Sequence, residues 1–367
     1  MNRLDWGKSG IKGAMLEFGM TLLFGLLAVR LGLGWGRLLL RRGATANNLF
    51  TGKNIESLAF LGGYFLLLLL ALNLPQMQGL PLEWRSYGMQ ITWSIMRVLL
   101  LGFCGMAFVV SWQTARLQVI GVLLLGCLGL AGFTVSERYF LAPIYASLED
   151  NLLPNGIFQQ TSNSSCAPSA LATILRLWNL DATESSVAKL AGTSRLGTSM
   201  PQLITASRTL GLDGLELSPT WEQMRRINRP GVLASWLYSE RGRDQHAISL
   251  VAMTAGTVTV ADPALGKFYE LTPQQFDRIW RQQYVPIFRP AEIQLSQTQV
   301  ADYLHQSGFL PQPSATGTAL KQALTQFQTA MGVQATGSMD AKTALLLSGP
   351  YLKGLPTLAA PQLKTKR

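Results

Sequence analysis

Cysteine is scarce in this chain of 367 residues: there are three, too few for a disulfide framework. Two of them, Cys104 and Cys127, lie inside apolar segments, so only Cys166 belongs to the polar part of the chain. An unpaired thiol kept in an oxidising compartment is better explained by reactivity than by packing. Also missing is any Lys/Arg run interleaved with aromatics, so the net charge of +11 does not read as a nucleic-acid surface, and no nucleic-acid partner is expected. No small-residue cleavage site follows the first apolar stretch, which argues against a signal peptide.

What is present is apolar weight, unevenly spread. The hydrophobic fraction is 48% and the mean hydropathy +0.21, and the excess sits before about residue 140. At this length two or three units are expected. Residues 1–140 read as a transmembrane anchor of three to four helices, at about 15–36, 58–74, 91–112 and 117–135. The first carries Glu17 and Arg30, and either crosses with a tilt or lies in the interface. Arg30, Arg37, Arg41, Arg42 and Lys53 precede the second segment, and Arg116 separates the last two. The loop 75–90 has one Arg and one Glu. Short basic loops stay in the cytoplasm, so everything after Val135 is expected on the outer face, with membrane lipid around the anchor.

A linker is expected over 141–155, then a domain over 156–290 with helices first and an antiparallel sheet after, an α+β order. Its centre is Phe158–Trp178. Polar residues precede Cys166, and Ala170, Leu171, Ile174, Leu175 and Trp178 follow at helical spacing. Cys166 therefore stands where a loop becomes a helix, and a thiol there meets the positive end of the dipole, which favours the nucleophilic thiolate. Later, His246 is expected to open one strand and Asp262 to close the next, across a turn at Thr254–Gly256. If paired positions sum to an even number, such as 508 or 510, both side chains share a face and Asp262 orients the imidazole. An odd register removes the pairing.

Cys at a helix start, then His, then Asp is the chain order of papain-like thiol hydrolases. In that topology a Gln shortly before the Cys supplies the oxyanion donor; Gln160 lies six residues before Cys166 and Gln159 seven. From Gln160 to about Arg289 the chain resembles the C39 peptidases of bacteriocin exporters. Gln160, Cys166, His246 and Asp262–Pro263 match the family pattern residue by residue, as does GTSMPQLITASRTLGL. Where the family usually has an acidic or amide residue before the Cys and Gly after it, this chain has Ser165 and Ala167. The resemblance implies Cys166 as nucleophile, His246 as general acid/base, Asp262 as its orienter and Gln160 as oxyanion donor. It implies neither a metal nor another cofactor. The nucleotide-binding region of the exporters is missing, so their leader-peptide substrate does not carry over.

Residues 296–348 read as a small all-α domain of three helices. ALTQFQ, TGSMD and the Thr343 helix strongly resemble the peptidoglycan-binding domain of cell-wall enzymes. The order of parts also resembles the outer portion of GspA-type secretion ATPases. Residues 349–367 read as a disordered basic tail. The expectation is a membrane-anchored, papain-like cysteine peptidase acting on a polypeptide at the outer face of the inner membrane and held near peptidoglycan. The alternative is a non-catalytic adaptor linking a secretion or transport complex to the wall. Deleting the chain after Arg289 is expected to leave hydrolysis of a small peptide largely intact and to abolish retention on wall sacculi.

Overall fold

The computed structural model describes residues 5–47, 77, 79–240, 242–313 and 316–359, and scattered positions between 62 and 73. The expected span at 58–74 lies largely outside the described residues, as does 360–367. Met1–Ala142 and Pro143–Arg367 are separate compact units.

The first unit contains helices α1 (Asp5–Arg41), α2 (Leu82–Thr114) and α3 (Gln118–Phe140). Among the described residues, Thr21–Arg41, Gln90–Thr114 and Gln118–Phe140 are long and apolar enough to cross a membrane. The first candidate runs past the expected 15–36 because Arg30 does not interrupt the helix; backbone hydrogen bonding is indifferent to one long cationic side chain that can reach outward. α1 and α2 meet through glycine. A Cβ on Gly32 would stand 2.0 Å from the Gly102 carbonyl oxygen, and one on Gly36 would stand 2.7 Å from that of Met106. Small residues let apolar helices approach where hydrophobic burial supplies no drive between them. Arg97 of α2 is neutralised by an ion pair with Glu137 of α3, the arrangement an ionised group in an apolar bundle requires.

The second unit opens with a short antiparallel pair, β1 (Asn151–Leu152) and β2 (Phe158–Gln159), so the expected linker is partly built into the domain. Helices α4 (Cys166–Leu177), α5 (Glu184–Ala191) and α6 (Met200–Thr209) follow. Ala170, Leu171, Ile174 and Leu175 of α4 are fully buried, as the spacing requires. Then come β3 (Asp213–Gly214), α7 (Trp221–Ile227), β4 (Gly231–Ser239), β5 (Gly242–Met253), β6 (Val258–Asp262), β7 (Lys267–Leu271), α8 (Pro273–Ile279) and β8 (Trp280–Phe288). The sheet order is β3-β8-β4-β5-β6-β7, antiparallel throughout. Two expectations change. β5 starts at Gly242 rather than at His246, because polar residues 242–245 pair with β4 as an exposed hairpin end. Helix α8 was not anticipated; it opens on a Thr272 cap and Pro273.

Helices α9 (Gln297–Gln306), α10 (Gly317–Ala330) and α11 (Ala341–Ser348) complete the chain. They do not stand apart. Leu304, Leu324, Phe327, Leu345 and Leu346 share one buried cluster with Met224, Ile227, Leu233, Ile248 and Leu250 of the preceding domain. At the seam Arg229 is 0% exposed; its guanidinium donates to Glu292 at 2.9 Å, to the carbonyls of Ile227 and Leu345, and to Ser348 Oγ. Gly349 passes so close to α7 that a Cβ would stand 2.0 Å from the Arg226 carbonyl oxygen. The tail expectation also needs correction. Residues 349–359 are ordered: Leu358 is buried, its N–H donates to Asn228 Oδ1 and its carbonyl accepts from Met253 N–H. A buried leucine with both backbone groups satisfied gains more than chain freedom would.

Candidate active site

The loop that delivers Cys166 is tied down at each step. Phe158 N–H donates to Thr173 Oγ1, and Gln160 N–H donates to the Pro263 carbonyl at 2.9 Å, which sets the loop against the end of β6. Thr161 gives both its N–H and its hydroxyl to the carboxylate of Glu184, each at 2.8 Å. Ser162 N–H donates to Ser165 Oγ, whose own hydroxyl donates back to the Ser162 carbonyl. Ser165 is thus spent inside the loop and caps no helical N–H, so the first turn of α4 keeps its free donors around Cys166. Cys166 is half-buried. Ala167, the departure from the family's Gly, is 3% exposed and places its methyl in the interior.

His246 and Asp262 are joined by a 2.8 Å contact between Nε2 and Oδ1. The ladder explains why. Near the open end of the hairpin Ser249 pairs with Ala261 and Leu250 with Val260, so paired numbers sum to 510. Nearer the turn, Ala252 pairs with Thr259 and Met253 with Val258, a sum of 511. A bulge between Leu250 and Ala252 changes the parity. Had the register of the turn continued, the two side chains would have faced opposite sides of the sheet. With it, they are diagonal neighbours on one face. Asp262 Oδ1 also accepts from Ala264 N–H at 2.8 Å, which holds the carboxylate in place.

His246 also interacts with Cys166, whose sulfur raises the imidazole pKa. With Nε2 on Asp262, Nδ1 is the nitrogen left for the thiol. Burial pulls the imidazole pKa down, but the hydrogen bonds to Asp262 and Cys166 and their charges outweigh it, raising the pKa from 6.5 to about 9. At neutral pH the ring is therefore charged, poised between a carboxylate and a sulfur.

The two glutamines separate cleanly. Gln159 is used structurally: its amide nitrogen donates to the Ala264 carbonyl and its oxygen accepts from Asn151. Gln160 Nε2 donates to the Ser162 carbonyl at 3.0 Å, leaving its second N–H, while its Oε1 is buried without a partner. An amide held by one hydrogen bond, with capacity in reserve, suits a ligand-facing role.

Glu184 is a positioning residue that reading the sequence missed. It is 0% exposed and clamps Thr161, next to Gln160. Its signal in sequence was only that of an acidic residue in a first helical turn. Among the described residues there is no group of three His, Cys, Asp or Glu that could hold a metal.

Comparison with known proteins bears on both halves of this unit. The Peptidase C39 family model matches residues 155–292, and a peptidoglycan binding domain model matches residues 298–347. A protein of Methanothermobacter thermautotrophicus, itself uncharacterised, is 32% identical over 136 residues, 37% of this chain and 90% of that one. Among solved structures, the peptidase domain of Streptococcus ComA, a bi-functional ABC transporter, aligns at a TM-score of 0.33 and 14% identity. That alignment covers 37% of this chain and 98% of that one. A periplasmic domain of the EpsAB fusion protein of the Vibrio vulnificus type II secretion system aligns at 0.29 and 14% identity, covering 52% and 82%.

Proposed function

We propose that this chain, which belongs to the peptidase C39 family through residues 155–292 and carries a peptidoglycan-binding domain behind it, is a membrane-anchored thiol endopeptidase acting on a polypeptide. The observation that carries the reading is His246, hydrogen-bonded to Asp262 and close enough to Cys166 for the sulfur to raise its pKa. Cys166 Sγ attacks the scissile carbonyl, and the oxyanion takes donors from the Cys166 N–H and the second N–H of Gln160. His246 Nδ1 then protonates the leaving amine. In the second half, the neutral imidazole takes a proton from water, hydroxide attacks the thioester, and the acid product leaves. Asp262 keeps the ring oriented throughout.

The basic residues Arg30–Arg42 and Arg116 support an orientation with the peptidase on the outer face of the inner membrane, near the wall. A reporter active only in the cytoplasm, fused after Leu141, should stay silent. For the chemistry, a peptide-based thiol probe should label Cys166 in the full chain, and His246→Ala should suppress labelling and hydrolysis together. Peptide binding without labelling or hydrolysis would instead support the adaptor.

A further inference from the structure

Buried polar side-chain atoms without a hydrogen bond gather in the elements that build the candidate site. Among the described residues they include Gln160 Oε1, Ser169 Oγ in the first turn of α4, and Ser235 Oγ on β4. Each such atom in a packed interior calls for a reason. Ser169 has one at hand, because a serine inside a helix can turn its hydroxyl to the carbonyl four residues back. Ser235 sits in a strand and has no such outlet.

Ser235 pairs directly with His246 of β5 on one side and with Trp280 of β8 on the other. Directly paired residues carry their side chains on one face, with Cβ atoms about 5 Å apart, so the hydroxyl stands between the imidazole and the indole. Ser235 is 1% exposed, and bulk solvent does not satisfy it. The polar atoms of its two neighbours are largely committed. Trp280 Nε1 donates to the Gln283 carbonyl at 3.1 Å, and His246 Nε2 is held by Asp262 at 2.8 Å. The atom that changes its bonding during the proposed reaction is His246 Nδ1. While Cys166 is free, Nδ1 is the nitrogen left for the sulfur. Once Cys166 is acylated and the amine has left with its proton, Nδ1 is a bare lone pair. The water that follows must give one proton to Nδ1 and aim its oxygen at the thioester carbon. Its second hydrogen needs an acceptor, and a hydroxyl oxygen with no other partner is one.

We propose that Ser235 is a further catalytic residue, whose hydroxyl oxygen accepts a hydrogen bond from the deacylating water beside His246. The water oxygen bonds to the thioester carbon and its other proton passes to Nδ1. Collapse of the tetrahedral centre then breaks the C–S bond, releasing the acid and returning Cys166 as a thiolate beside the protonated ring. Ser235 therefore serves the second half of the reaction and not the first. This rests on the peptidase reading above, and the test separates the two.

The full chain in detergent is acylated with p-nitrophenyl acetate, with Cys166→Ala as the background from other nucleophiles. Nitrophenol release reports formation of the thioester. Loss of the acetyl group from the intact chain, followed by mass spectrometry after the ester is removed, reports its hydrolysis. Ser235→Ala preserves the size of the side chain and is expected to form the thioester at the parent's rate. It should hydrolyse it about tenfold more slowly, the effect of one hydrogen bond. Hydroxylamine, which takes the acyl group without a base, should erase that deficit. Ser235→Thr keeps the hydroxyl and should stay within about threefold of the parent. Unchanged hydrolysis in Ser235→Ala overturns the role, because the serine is then only a small residue that makes room for the ring. So does a loss shared equally by both steps, or a deficit that hydroxylamine leaves in place. If the unsubstituted chain shows no acylation that depends on Cys166, the peptidase reading itself falls, and the role of Ser235 falls with it.

Discussion

Two buried ion pairs in the second unit use the same materials to opposite ends. Arg229 meets Glu292 at 2.9 Å and His246 meets Asp262 at 2.8 Å, and both cations are nearly inaccessible. Around Arg229 every partner is structural: two backbone carbonyls, a serine hydroxyl and the carboxylate. Nothing remains for a ligand, and burial pulls its pKa down without releasing the proton at any ordinary pH. His246 instead feels Cys166, which is half-open to solvent, and Gln160, in the loop before Cys166, has an unmet oxygen. A saturated pair holds two sequence-distant parts together. An incompletely saturated one, built on a group whose proton can leave, is equipped for chemistry.

The contrast is tested most severely by cutting the chain after Arg289. This removes Glu292, Ser348 and the Leu345 carbonyl from Arg229 and strips half of the shared core. The fragment 143–289 is expected not to fold, read as loss of a cooperative thermal transition. Next in size, Asp262→Asn should lower turnover by roughly a hundredfold to ten-thousandfold while a cooperative thermal transition is retained. Arg229→Met should do the reverse, costing about 3–5 kcal/mol of stability through an uncompensated Glu292, with kcat of the folded protein retained. If either variant damages both properties equally, the two pairs are not separable. Gln160→Ala should reduce kcat/KM by about a hundredfold with thiol labelling preserved. Gln159→Ala, which breaks only loop contacts, should change kcat/KM far less; equal losses would remove Gln160's special role.

Much of the site was legible because its signals are local. Cys166 before an apolar helical stripe, and the shared parity of His246 and Asp262, can be read from spacing alone. What spacing could not decide was the register, because the bulge near Val251 changes the parity within one strand. Nor could it choose between Gln159 and Gln160, whose difference is made by Asn151 and Ala264. The seam was invisible for the same reason. Arg229 reads as one more surface cation until residues 63 to 119 positions away close over it. The ordered stretch 349–359 was missed because its composition favours disorder, whereas Leu358 finds a buried seat.

The smallest expected effect is also the most specific to the comparison. His246 has its pKa raised from 6.5 to about 9, because the hydrogen bonds and charges of Asp262 and Cys166 overcome burial. A raised pKa in the folded state means that proton binding favours folding. The contribution is complete below 6.5 and is lost as pH climbs through about 9. On the proposed mechanism the same proton is delivered to the leaving amine, so kcat/KM should fall on an alkaline limb near 9, a property of the Cys166–His246 pair rather than of either group. Asp262→Asn removes one raising charge and should move that limb to lower pH. Arg229→Met should leave it where it is, since the Arg229 pair does not change its protonation in this range. pH–rate profiles of the three proteins decide the matter. A limb that follows Arg229 instead of Asp262 would mean that the seam and the site are one electrostatic system.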